Sequence, residues 1–232
     1  EKKMYKNLVV LDKEAHKDLK INPLEDLNFA KDSAFIPVVA TEVAQVGAAF
    51  PVVFSAEENP ALIALVSLGG ESLAINADGK WITSYVPSFL RKYPFALAGT
   101  KENPEQRVIL IDEDSSLFSK SKGKQLFKKD GEQSETLEYA IKFLSSHESD
   151  MVITKNVAKL ITDSGILEDR EIAVGEGEEV LLREAETRSC STTNDDFGGV
   201  FRVVELIRSV SDAVLAECSE PSCALEDVEA DL

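Results

Sequence analysis

Cysteine is scarce: only Cys190, Cys218 and Cys223 occur in 232 residues, all in the last quarter of the chain. An odd, clustered set makes no disulfide framework and fits a reducing compartment. Cys218 and Cys223 stand five apart in an acidic stretch with no histidine, so a zinc site there would lack two ligands. Histidine is scarcer still, with His16 and His147 alone, so any Ser-His or Cys-His nucleophile must use one of them. Neither Gly-x-Ser-x-Gly nor a phosphate-binding Gly-Lys-Ser/Thr loop is present. Positive charge is also short. Lys and Arg number 25 against 42 Asp and Glu, and the net charge of −17 repels nucleic-acid backbones and anionic lipid. No apolar run approaches the ~18–20 residues that a membrane helix needs, and the opening EKKMYKNLVVLDKE lacks the apolar stretch of a secretory signal. The expectations are no cofactor, no metal, no nucleic-acid partner, no membrane span and a cytoplasmic location.

Apolar residues at 44% and charged residues at 29% are near globular averages. Short β-branched runs fill the first half: Asn7–Leu11, Ile36–Ala40, Phe50–Phe54, Ala61–Leu68 and Arg107–Ile111. Their near-continuous apolarity predicts burial on both faces. Pro37 and Pro51 each remove a ladder donor, which places them at a strand start or a sheet edge. Asp78-Gly79 accepts positive φ and predicts a tight hairpin turn. From Ser134 the period changes. Leu137, Ala140, Ile141, Leu144, Met151, Ala158 and Ile161 recur mostly at three, four and seven, which predicts one long helix or two, broken near Ser149-Asp150. Ser134 is the expected N-cap and Gly165 the left-handed terminator.

Beyond the helix, Arg170–Val174 and Glu179–Arg183 flank GEG as a second hairpin. SCSTTNDDFGG, residues 189–199, reads as a loop, Val200–Val204 as a strand and Ser209–Glu217 as a short helix. No Lys or Arg follows Arg208, so a frayed acidic tail is expected from residue 216. The fold class is α+β: a β-rich N-terminal half with hairpins, a long central helix, then a short hairpin and helix. Residues 1–215 read as one domain, or as two lobes dividing near 130, with 216–232 as a flexible acidic tail.

The stretch YVPSFLRKYPF, Tyr85–Phe95, concentrates rings, prolines and an Arg-Lys pair. Pro87 suits the start of a helix and Pro94 ends one, leaving room for about two turns with Phe89, Leu90 and Tyr93 on one face. Two readings stand. The segment is a corner clamped to the core, or it is a binding face where Arg91 grips a carboxylate between Trp81, Tyr85 and Tyr93.

The order FPVVF, ALIALVSLGGESLAINADGKW, YVPSFLRKYPF, VILIDEDSSLF and QLFKKDGEQSETL resembles the SapC family of bacterial proteins named from surface-layer gene clusters. The family's Tyr-Ile-Pro and Arg-Tyr-Pro-Phe segment corresponds here to Tyr85, Pro87, Arg91, Tyr93, Pro94 and Phe95, with Val86 in place of Ile. His16 in KEAHKDLKI matches a histidine near the family's N-terminus. The match is strong over 29–165 and looser to GGVFRVVELIRSVSDAVLAE. The 189–199 loop departs from the family by being longer and more polar. The resemblance implies an association with surface-protein systems and brings no assigned reaction.

The candidate binding residues are therefore His16, Trp81, Tyr85, Arg91, Tyr93 and Asp112, with no catalytic residue assigned. Asp112, Glu113 and Asp114 form an acidic strand end that reads as an exposed turn, with cation binding as the alternative. SKSKGKQLFKK, residues 119–129, reads as a solvated basic loop that could meet an acidic partner or the chain's own tail. His147, in polar SSHESD, reads as a solvated residue. The leading functional reading is a binding or accessory protein for surface-protein export or assembly. The other is an enzyme of unassigned class acting on a peptide or small molecule through His16, Arg91 and Tyr93.

Overall fold

The computed structural model describes residues 4–69, 71–99, 107–174 and 178–185, with the backbone course alone from 169 onward. Among the described residues, three antiparallel sheets and one long helix make up the α+β architecture. The strands in chain order are β1 (Leu8–Val10), β2 (Lys20–Ile21), β3 (Phe35–Pro37), β4 (Val52–Ser55), β5 (Leu62–Leu65), β6 (Phe95–Gly99), β7 (Arg107–Asp112), β8 (Phe118–Ser119), β9 (Lys124–Gln125), β10 (Leu167–Val174) and β11 (Glu178–Ala185). The helices are α1 (Val43–Gly47), α2 (Ser88–Arg91) and α3 (Glu135–Asp163), and a 3-10 turn at Ala40–Glu42 leads into α1.

The largest sheet runs β10-β11-β4-β5-β3, and the other two run β1-β7-β6 and β8-β2-β9. In the large sheet Val52 pairs with Ala64 and Phe54 with Leu62, facing the main core, while Val53 and Ile63 face the other way onto Phe35. Both faces are thus covered, as the unbroken apolar runs require. Pro37 lies on the edge strand β3 and Pro51 precedes β4, where a missing amide costs no ladder bond.

Helix α3 is a single 29-residue element with no break at Ser149-Asp150. Ser134 caps it, its hydroxyl accepting from the Leu137 amide at 3.3 Å, and Gly165 follows it at φ +69°. Its first half buries Leu137 and Leu144 against Phe95, Ile111, Leu126 and Phe127. Its second half buries Val157, Ala158 and Ile161 against the core of the large sheet. The helix therefore joins two apolar clusters.

The Asp78-Gly79 turn forms, with Gly79 at φ +75°, but its flanks reduce to one bridge, Ile75 with Trp81. The Asn76 side-chain oxygen takes the amides of Asp78 and Lys80, so these donors are satisfied within the turn instead of along a ladder. The second hairpin forms as β10–β11, paired from Leu167 with Ala185 to Val174 with Glu178. The 189–199 loop, the strand at 200–204, the helix at 209–217, the tail and all three cysteines lie outside the described residues.

Two glycines allow a direct prediction. Gly123 (φ +100°) would place a Cβ 2.5 Å from the Ile21 carbonyl oxygen, whereas Gly131 (φ +84°) would meet nothing within 4 Å. Both pay for positive φ, and only Gly123 adds a collision with backbone. Gly123→Ala should lower stability in urea by about 2–3 kcal/mol and Gly131→Ala by about 1 kcal/mol. Equal losses would show that the close approach of β2 to this turn is absent in solution.

Candidate functional site

Glu42 is the one charged residue in the nineteen from Ile36 to Phe54, and it is only 3% exposed. A buried carboxylate must find donors, and this one finds them on three residues, Val39, Tyr85 and Ser88. Its Oε1 accepts from the Ser88 hydroxyl at 2.9 Å and the Val39 amide at 3.2 Å. Its Oε2 accepts from the Tyr85 hydroxyl and the Ser88 amide, each at 2.8 Å. Arg91 stands at 3.9 Å from Oε2 and donates to the Tyr85 oxygen at 2.9 Å. The guanidinium is sandwiched between rings, 5.2 Å above Tyr85 and 5.1 Å above Phe143 of α3.

Ser88 continues the network into α3, with its hydroxyl 3.0 Å from Nδ1 of His147, and the Lys92 ammonium stands 3.4 Å from Nε2. Counting hydrogens fixes the direction. The serine has one hydrogen, which goes to the carboxylate, so Nδ1–H of His147 donates to the serine and Nε2 accepts from Lys92. His147 is therefore neutral. Burial, then the charges of Lys92 and Arg91, lower its pKa to about 4. Burial and Glu42 push the Tyr85 hydroxyl up to about 12 against the opposing pull of Arg91. Burial lowers the Lys92 pKa against the attraction of Glu148, and burial raises that of Asp150.

In a nucleophilic triad the histidine stands between carboxylate and serine and removes the serine's proton. Here the serine stands in the middle, with its hydroxyl hydrogen and amide both committed to Glu42. The arrangement is a clamp and leaves Ser88 unactivated as a nucleophile. A cavity of about 150 Å³ between Thr41, Tyr85, Arg91, Phe143, His147 and Asp150 borders it.

On the far side of the same corner a groove of about 360 Å³ runs between Pro23-Leu24, the corner and the first half of α3. Tyr93, Phe95, Ala140, Phe143 and Leu144 give it apolar walls, with Arg91, Lys92 and Lys124 among its lining residues. Tyr139, 73% exposed, stands on its rim.

The corner itself is shorter than expected, one turn with Pro87 as its N-cap, followed by a cis Tyr93–Pro94 bond. Leu90 is fully buried in the main core, as a clamped corner requires, while Arg91 and Lys92 reach the groove. Of the other sequence candidates, Tyr93 lines the groove with Arg91, and Trp81, Asp112 and His16 do not. Trp81 donates to the Thr83 hydroxyl at 2.7 Å and packs edge-on to Phe50. Tyr93 stacks on Phe29 and donates to the Asp112 carboxylate at 3.1 Å. Asp112 is fully buried and accepts the amides of Lys6 and Asn7 at 3.1 and 2.8 Å, so its carboxylate pins the N-terminal strand. No group of three or more His, Cys, Asp or Glu side chains that could hold a metal occurs among the described residues. His16 accepts the Asp12 amide on Nδ1 at 2.9 Å and has Glu113 at 3.9 Å, which closes the turn after β1. His16 lines neither the groove nor the cavity beside Glu42.

His147 corrects the expectation of a solvated residue, since it is 5% exposed. It follows Leu144 by three on α3 and so shares the buried face, a phase that its polar neighbours in SSHESD conceal. Glu42 was missed altogether, although a lone acid in a long uncharged apolar stretch is a signal for it.

The α+β scaffold thus clamps an aromatic-cationic corner beside an apolar groove. The SapC family model matches residues 11–187, and the chain belongs to that family. No curated protein and no solved structure matches it.

Two measurements follow from the clamp. Glu42→Ala should cost about 3–5 kcal/mol in urea unfolding, since it leaves buried donors unsatisfied. The unfolded chain protonates this imidazole near pH 6.5 and the folded chain only near 4, so the His147 contribution is full above about 6.5 and is lost as pH falls towards 4. A displacement of that size is worth about 3 kcal/mol. His147→Gln should flatten the stability profile between these pH values, and an unchanged slope would place the imidazole in solvent.

Proposed function

We propose that this protein is a non-catalytic accessory protein that seats a carboxylate-bearing apolar segment of another polypeptide in the groove beside the Tyr85–Phe95 corner. The setting implied by the family resemblance is the export or assembly of surface-layer proteins, handled on the cytoplasmic side. The observation that carries this reading is the pairing of apolar groove walls with ammonium groups that make no direct ion pair. Among the described residues no carboxylate lies within 4.0 Å of Lys92 or Lys124. Lys92 is held instead against His147 and 4.6 Å above the Phe89 ring. A partly desolvated ammonium at the end of an apolar trough attracts a carboxylate more strongly than one in open water.

The net charge of −17 supports the reading further, because it disfavours nucleic acid and makes this corner a local exception in an acidic molecule. The enzyme alternative needs His16, Arg91 and Tyr93 at one cavity. Arg91 and Tyr93 share the groove, and no observation favours bringing His16 to them.

Selection from a displayed library of short random peptides should enrich apolar sequences with an adjacent Asp or Glu. Lys92→Met keeps the aliphatic stem and removes the charge. It should weaken a selected peptide about tenfold, equivalent to ~1.4 kcal/mol, with more lost in Arg91→Ala, which also empties the ring sandwich. Selection of uncharged peptides, or equal binding by all three proteins, would refute the groove as the site.

A further inference from the structure

The connection between β8 and β9, which flank β2, presents Lys120 and Lys122, and with Lys124 of β9 these are all exposed, while Lys128 and Lys129 follow in the next turn. Lys20 on the central strand β2 turns its ammonium to the Ser121 carbonyl at 3.2 Å, at the same tip. Among the described residues no carboxylate lies within 4.0 Å of any of these lysines. A bare cationic patch in a molecule of net charge −17 is a docking surface for an acidic group. It is continuous with the groove, because Gly123 and Lys124 belong to both.

One segment of the chain is acidic with no compensating base. Glu217, Glu220, Glu226, Asp227, Glu229 and Asp231 follow Arg208 with no Lys or Arg among them. Leu225, Val228 and Leu232 are interleaved at spacings of three and four, which would place them on one side of a helical turn. The same chemistry that the groove recognises, apolar side chains flanked by carboxylates, is thus carried by the protein itself. This segment also lies beyond the family match, which ends at 187. Reach is ample. The residues between Ala185 and Glu217 could span up to about 100 Å, against a radius of gyration of about 16 Å for a folded body of this size.

We propose that the acidic segment 217–232 docks in cis on the β8–β9 lysines, with Leu225 and Val228 at the apolar mouth of the groove, where it competes with the ligand. Tethering gives it an effective concentration of order millimolar, so weak contacts suffice for occupancy. The competition rests on the binding function proposed above. The docking does not.

The tail's own cysteine provides the probe. A photocrosslinker on Cys223, in the full chain with Cys190→Ser and Cys218→Ser, should mark residues 117–129 and 136–144 of the same molecule. At least fivefold less marking is expected in Lys120→Glu/Lys122→Glu/Lys124→Glu, and likewise at ~0.5 M salt, where screening shortens to a few ångströms. Marking elsewhere, marking insensitive to charge reversal and salt, or marking only between molecules would overturn the docking. No ligand enters this assay, so its outcome is separate from that of the peptide selection. Competition is read by replacing Glu226, Asp227, Glu229 and Asp231 with their amides. Tighter binding of a selected peptide by about tenfold supports it, and unchanged binding overturns it.

Discussion

The burial of the Glu42 carboxylate is the constraint on which the arrangement of the corner depends. Taking an ion out of water costs several kcal/mol, and only donors fixed in place offset that cost. Four hydrogen bonds reach Glu42 from Val39, Tyr85 and the hydroxyl and amide of Ser88. Removing any one of these donors leaves part of the buried charge unsatisfied, which costs more than the bond itself is worth. None of these donors can leave without exposing the charge to an apolar surrounding. The first residue of α2, the ring of Tyr85 and the turn before α1 are therefore fixed relative to one another.

Helix α3 converts this local knot into a global one. It packs on one apolar cluster with Leu137 and Leu144 and on the other with Val157, Ala158 and Ile161. Between these halves His147 meets Ser88, and Thr154 accepts the Ala40 amide at 2.8 Å. The middle of the helix is thus tied by polar contacts to the same two segments that Glu42 joins. Arg91 is held between Tyr85 and Phe143, and Lys92 between His147 and Phe89. The cations at the groove are positioned by the clamp behind them, so the proposed ligand would lose less entropy in ordering them.

The sequence made the strands, the capped helix and the importance of the corner legible because each rests on local chemistry. Ser134 and Gly165 bound α3 whatever surrounds it, and the paired runs of β4 and β5 are apolar enough to require two covered faces. Residues whose roles depend on long-range partners were less legible. Asp112 looks like part of an exposed acidic turn until the amides of Lys6 and Asn7, more than a hundred residues away, are placed on it. His147 looks solvated from its neighbours in the chain and buried from its helical phase, and the phase decides. Trp81 and His16 carry chemistry that suits a site, yet each satisfies its polar group within four residues, as local turn formers do.

A clamp of this kind differs from a catalytic site in how its members couple, and a double-mutant cycle between Glu42→Gln and Ser88→Ala measures that coupling directly. If the carboxylate is held mainly by the corner, the two changes should be strongly non-additive in unfolding free energy, by about 1–2 kcal/mol. Additive losses would mean that Glu42 and the corner are stabilised independently, which would contradict the account of how the groove's cations are positioned.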